Sequence, residues 1–297
     1  MEKQYLTPAE TVKAIVENGK RVLTQSRLRT FVLSLLAGFY IGFGAELATV
    51  VTHDAAQTAG KGVAAFLGGS VFSLGLMLVV ICGAELFTGN SMLASSALHG
   101  EITWAHLLEN WGIVILGNLA GSLFFAAMMF ASQLWAAPGV ADHAIRIAAA
   151  KCQLPFSVAL VRGMLCNWLV CLAVFMATAA RDVTGKLLAC YLPIMAFVAS
   201  GFEHSIANMY FIPTGVLLAR AQGREVPGLT WTACFRDNLL PVTLGNILGG
   251  VLFVAFAYWY VHLKVDGRRS RSFKQSDASS PSAASSPAGS SPSPPEQ

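Results

Sequence analysis

The sequence predicts an all-α membrane protein: six transmembrane helices arranged as two inverted three-span repeats, with the second and fifth helices broken. Three observations predict it. Hydrophobic residues make up 55% of the chain and charged residues 12%, about half the charged share of a soluble domain. The apolar residues gather into six runs, each long enough for the ~20 residues that cross a hydrocarbon core. Two of these runs carry the same polar interruption, Gly83-Ala84-Glu85-Leu86-Phe87-Thr88-Gly89-Asn90 and Gly201-Phe202-Glu203-His204-Ser205-Ile206-Ala207-Asn208. Both read G-x-E-x4-N, and charge at bilayer depth is rare unless it faces a cavity or pathway.

Residues 1–25 contain no signal peptide, because charges interrupt every apolar stretch, and 1–26 form an amphipathic N-terminal segment. Thr7-Pro8-Ala9-Glu10 is a capping box with proline at the first helical position. Val12, Ile15, Val16, Val22 and Leu23 then recur at helical spacing, with Lys13, Glu17, Lys20 and Arg21 elsewhere. This is an amphipathic helix that either lies on the membrane surface or packs on loops.

The expected transmembrane domain covers residues 27–265. Its segments run from about Thr30 to Val51, Val63 to Leu98, Leu107 to Leu134, Pro155 to Ala180, Leu187 to Leu218 and Leu239 to Leu263. The second and fifth are long enough to be interrupted, at Glu85–Asn90 and around Glu203–Asn208. Broken backbone at that depth survives only where it lines a cavity or is buried in protein. Residues 266–297 are rich in Ser, Pro and Ala and poor in large apolar side chains. Such a tail cannot bury enough surface to order itself and reads as disordered.

Basic residues set the orientation. With both termini cytoplasmic, thirteen Lys and Arg fall inside and six outside, Arg162 within the fourth segment being left out. That asymmetry favours both ends inside. Arg162 itself reads as snorkelling to the interface or meeting a neighbouring protomer.

The third and sixth segments share Leu116-Gly117-Asn118-Leu119-Ala120-Gly121 and Leu244-Gly245-Asn246-Ile247-Leu248-Gly249. Eight residues before each asparagine stands another, Asn110 and Asn238, preceded by Glu109 and Asp237. With the two G-x-E-x4-N breaks, this aligns repeats over about 28–134 and 155–263. Three spans per repeat is odd, so the halves insert with opposite orientation, and paired broken helices place a permeation site between them near the midplane. The glycines, Gly250 included, allow close helix packing.

Several classes are excluded. No basic patch interleaved with aromatics points to nucleic acid. The six cysteines form no C-x-x-C or metal spacing, and most sit in apolar runs as small hydrophobes. Neither metal nor cofactor is expected. Glu203, His204 and Ser205 are consecutive, so they cannot assemble a nucleophile, base and orienter, and no catalytic residue is assigned.

Phe72-Ser73-Leu74-Gly75-Leu76, Gly83 to Gly89, Leu165-Cys166-Asn167-Trp168-Leu169-Val170-Cys171, Gly201 to Met209 and Pro241-Val242-Thr243-Leu244-Gly245-Asn246 resemble the formate/nitrite transporter family. The resemblance spans roughly residues 5–263. It implies an aquaporin-like fold in a cell (inner) membrane, assembled as a homopentamer with one pore per protomer and carrying small monovalent anions and protons. It further implies Leu86, Phe87 and Thr88 at a pore-bordering loop and His204 facing that pore. Asn167 and Asn208 fall near it, and Phe72, Leu76, Val170, Phe197 and again Phe87 line two constrictions. Lys151 matches a basic residue that draws anions into the outer vestibule. Glu85 stands where formate-type members carry Asp, and Cys166-Asn167-Trp168 resembles the nitrite type, whereas Phe202 resembles the formate type. Formate and nitrite remain open.

The residue chemistry agrees with this implication. Histidine exchanges a proton near neutral pH, and a bare anion between apolar rings is poorly solvated. A proton from His204, or one supplied in the vestibule, would let the anion cross as a neutral acid. Thr88 either donates to that oxyanion or caps the second half of its broken helix. Glu85 and Glu203 are expected to satisfy backbone groups at the breaks. The rivals are a neutral-solute channel of the aquaporin type, although neither break contains Asn-Pro-Ala, and an intramembrane enzyme, which the consecutive Glu203, His204 and Ser205 disfavour.

Overall fold

Helix α1 (Pro8–Thr24) begins where the sequence places it. Thr7 Oγ1 accepts the Glu10 N–H at 3.4 Å and Glu10 Oε2 accepts the Thr7 N–H at 2.8 Å. Its apolar face does not rest on a bare membrane surface: Val12, Ile15 and Val16 pack against Met92, Cys171 and Phe175. The computed structural model describes residues 3–135 and 139–265, the side chain of Leu23 excepted, and the Ser/Pro-rich stretch 266–297 lies outside the described residues.

Helix α2 (Arg27–Thr52) is followed by α3 (Lys61–Cys82), which steps at Ser73. At Gly83 the backbone turns left-handed, φ 77°, a conformation only glycine adopts cheaply. Residues 84–86 are extended, and α4 (87–99) then resumes as short helical pieces. After α5 (Trp104–Ala131), α6 (Val140–Cys152) and α7 (Phe156–Ala179), the same sequence of events recurs. Helix α8 (Val183–Ala199) ends near Gly201 with φ 73°, residues 202–204 are extended, and α9 (Ser205–Ala221) follows. A last helical path, α10 (Trp231–Val265), contains π turns at Cys234–Leu239, Val251–Phe256 and Tyr260–Val265.

Among the described residues, five helices are long and apolar enough to cross a membrane, and the interrupted pair α8 and α9, 17 residues each, occupies the remaining expected segment. The chain is a multi-pass membrane protein. No strand occurs among the described residues, only an isolated bridge between Tyr5 and Ala180.

The structure moves the first break. It was expected at Glu85–Asn90, but the non-helical residues are 83–86, so Thr88 and Asn90 lie in helix. The reason is that the Phe87 N–H already has a partner, Asn118 Oδ1 at 2.9 Å, and the chain can coil at once.

The two halves pack alike. Helix α2 lies on α5 as α7 lies on α10. A Cβ on Gly121 would fall on the Leu35 carbonyl, and one on Gly249 on the Met164 carbonyl. These contacts bring the small-residue stripes of α5 and α10 flush against α2 and α7.

Candidate functional site

The two breaks are held by equivalent asparagines. Asn118 accepts the Phe87 N–H and donates to Glu85 O at 3.0 Å and Ser34 O at 2.7 Å. Asn246 accepts the Ser205 N–H at 2.9 Å and donates to Glu203 O at 3.0 Å and Gly163 O at 2.8 Å. Both side chains are fully buried. An extended segment inside a membrane protein has backbone groups without ladder partners, and one carboxamide supplies a donor and an acceptor to each break.

A second shell repeats as well. Asn90 Nδ2 donates to Glu85 Oε2 at 2.7 Å and to Asn110 Oδ1 at 3.1 Å. Asn208 Nδ2 donates to Glu203 Oε2 at 2.6 Å and to Asn238 Oδ1 at 2.7 Å. The glutamates therefore do not serve the backbone, as expected from sequence. The clamp asparagines do that, and each glutamate carboxylate faces the asparagine five residues on.

Here the symmetry ends. Lys151 Nζ lies 3.0 Å from both Glu203 oxygens, with the two side chains 16% and 6% exposed. The same ammonium stands 5.4 Å from the centre of the Phe211 ring. Lys151 comes from the last turn of α6, and Asn238 Nδ2 holds its carbonyl at 2.9 Å. It is thus a paired cation at the wall of the site rather than a charge on a solvated loop.

The breaks meet at Thr88 and His204. Thr88 Oγ1 and His204 Nε2 are 2.9 Å apart, both residues buried. His204 is the N-cap of α9, and its Nδ1 accepts the Ala207 N–H at 3.1 Å. A nitrogen that accepts carries no proton, so in this arrangement the ring is neutral and its proton is on Nε2. Nε2–H then donates to Thr88 Oγ1 and leaves the threonine proton free to point elsewhere. Thr88 is inside its helix and makes no cap bond, so capping falls to His204 and not to Thr88. Both ring nitrogens are engaged, and neither serves Ser205 as a base.

Apolar side chains close around this pair. Phe197 stacks on the His204 ring at 5.9 Å and meets Phe72 edge-on at 5.8 Å, while Phe72 stacks on Phe211 at 6.4 Å. Leu76, Leu86, Phe87 and Val170 are buried nearby in the same core, Phe87 edge-on to Trp111 at 5.9 Å. Leu76 and Leu86 also border a cavity of about 650 Å³ that opens toward α1, between Ile15, Asn18 and Arg21. Asn167 Nδ2 donates to Thr88 O at 3.1 Å and Asn246 O at 2.7 Å, tying the helix after the first break to the helix that braces the second. The oxygens Asn167 Oδ1, Asn208 Oδ1 and Ser205 Oγ are buried without a partner among the described residues.

Sequence reasoning missed Phe211, whose signal is its place seven residues, two helical turns, beyond His204 on α9. It also missed α6, whose signal is the helical spacing of Ala141, Ala144, Ile145 and Ala148, all buried.

Residues 9–260 match the formate/nitrite transporter family. A probable formate transporter of Methanothermobacter thermautotrophicus is 41% identical over 281 residues, covering 89% of this chain and all of the relative. The formate channel FocA of Escherichia coli strain K12 is 38% identical over 283 residues, covering 87% of this chain and 95% of that one. Among solved structures, a pentameric formate channel with formate bound superposes with a TM-score of 0.71 at 38% identity, covering 80% of this chain and 98% of the other. An FNT family ion channel gives 0.74 at 33% identity, covering 84% and 98%.

Proposed function

The chain belongs to the formate/nitrite transporter family, and we propose that it is a membrane channel for a small monovalent anion of a weak acid. Formate is the first candidate, because relatives of 38–41% identity are named for it, and nitrite is the second. The observation that carries this reading is the Thr88–His204 hydrogen bond, a polar bridge between two broken helices with phenylalanine rings around it.

In this reading residues 27–265 form the pore domain of each protomer of a homopentamer. The protein sits in the cell (inner) membrane with both termini cytoplasmic, and α1 borders the inner mouth. Phe72, Phe197, Phe211 and Val170 form the outer constriction, and Leu76, Leu86 and Phe87 the inner one. Lys151 supplies positive potential at the outer approach, although its pairing with Glu203 makes it a fixed dipole more than a free cation. No catalytic role is proposed.

Thr88 offers its hydroxyl proton to an arriving oxyanion, with the imidazole Nε2–H behind it. Handing over a proton outright requires a second proton on the ring, and only Nδ1 can take it. That step breaks the bond from the Ala207 N–H, so proton uptake frees the first turn of α9. The anion then crosses the apolar rings as a neutral acid, avoiding the cost of bare charge in low dielectric.

The test is uptake of labelled formate, nitrite and glycerol into proteoliposomes at two pH values. Formate and nitrite should enter, faster at the acid pH, with glycerol excluded. Glycerol flux equal to formate flux and indifferent to pH would instead favour an aquaporin-like neutral-solute channel.

A further inference from the structure

Within the six apolar segments bounded above, two charged side chains have no side-chain hydrogen-bond or ion-pair partner among the described residues. They are Glu46 on α2 and Arg162 on α7. By contrast Glu85, Glu109 and Glu203, the other charges in those segments, each have one. An unpaired charge facing lipid at this depth is costly, so such residues usually pair with one another or line a pathway.

Neither of these two faces the pore. Glu46, half-buried, follows the exposed Leu28, Val32 and Phe43 at helical spacing on α2, and Arg162 lies in the exposed stripe of Val158, Val161, Leu165 and Trp168 on α7. Their depths match. Glu46 stands six residues before the end of α2 at Thr52, and Arg162 six residues after the start of α7 at Phe156. Each is about 9 Å along its helix at 1.5 Å per residue. Those ends lie on one side of the membrane, because α2 and α7 run in opposite directions.

Helices α2 and α7 are the equivalent helices of the two repeats, each lying on its own brace, α5 and α10. Glu46 and Arg162 are not themselves equivalent. Leu33, not Glu46, takes the place of Arg162 in the first half, since Leu33 O accepts from the Glu85 N–H as Arg162 O accepts from the Glu203 N–H. An acid on one half and a base on the other, level in depth, suit a head-to-tail contact between copies, the kind that closes into a ring.

We propose that Glu46 of one protomer forms an ion pair with Arg162 of the next copy of this chain. The inference rests on the proposed ring assembly and names its contact. A buried pair of this kind fixes orientation and register more than it adds stability.

The test uses the full-length protein in mild detergent, with native mass spectrometry reading the oligomer and flux measured separately. Glu46→Arg and Arg162→Glu should each lower the oligomeric fraction about tenfold, and the double exchange should restore it. Where a reversed charge prevents folding, Glu46→Gln and Arg162→Gln replace it. Each should lower the temperature at which the oligomer dissociates, and the double variant should fall no further than the worse single. Additive losses in either set would overturn the pair, as would loss for Arg162→Gln alone, which would assign the arginine to a lipid headgroup. A wild type that is monomeric would overturn the pair and the ring together, leaving the pore reading to the flux assay.

Discussion

Replacing Asn246 by alanine should destabilise the protein as strongly as losing a large core side chain, though little volume is removed. The carboxamide is fully buried and bonds Ser205 N–H, Glu203 O and Gly163 O. Gly163 lies inside α7 and keeps its helical partner. The Ser205 N–H and the Glu203 carbonyl are in or beside the extended break and are left without one. Two orphaned buried backbone groups cost about 1–3 kcal/mol each, so the loss should be about 2–6 kcal/mol. Asn118→Ala should cost a similar amount, because it orphans the Phe87 N–H and Glu85 O while Ser34 O stays helical. Thermal unfolding in detergent, followed by tryptophan fluorescence with circular dichroism as control, measures both. Losses under about 0.5 kcal/mol, the range of ordinary surface changes, would refute the claim that these asparagines replace the missing backbone ladder.

Lys151→Ala leaves Glu203 charged, 6% exposed and without its cation. It should cost about 3–5 kcal/mol, and adding Glu203→Gln should recover much of that in the same melting assay. Phe72→Ala combined with Phe197→Ala removes two rings that meet at 5.8 Å and should raise acetate and lactate flux relative to formate. Unchanged ratios would make the rings packing only. The Glu10 carboxyl is lowered to about 2, first by the Lys3 ammonium and then by Thr7. A depressed carboxyl pKa stabilises the fold above the unfolded value near 4.5, and the effect is lost as pH falls toward 2. Protection of the first turn of α1 against amide exchange, taken relative to the intrinsic rate at each pH, should therefore fall over that window, and Glu10→Gln should remove the dependence.

Much of this architecture is legible in the chain because its cues are local. A G-x-E-x4-N interruption in an apolar run marks a break, and Gly-Asn with a second asparagine eight residues earlier marks the helix that braces it. What is not legible is which group answers which. The first break ends at Leu86 instead of running to Asn90 because a carboxamide 31 residues from Phe87 supplies the missing acceptor. Lys151 and Glu203 are 52 residues apart, with nothing in either neighbourhood to announce an ion pair. Phe211 is one of 18 phenylalanines, and only the fold sets it beside Phe72. From sequence Thr88 reads as a candidate helix cap and His204 does not, and the side-chain geometry gives the opposite: histidine caps, threonine faces it.

The central claim is that the imidazole bridging the two breaks passes protons to the permeating anion, and formate flux through His204→Asn proteoliposomes tests it most directly. Asparagine retains a hydrogen-bond donor toward Thr88 but cannot take up a proton. With the fold intact by circular dichroism, wild type should carry formate faster at acid pH, and the variant should show a slower, pH-independent leak. A folded variant whose flux rises with acidity as steeply as wild type would contradict the relay and leave protonation to the vestibule.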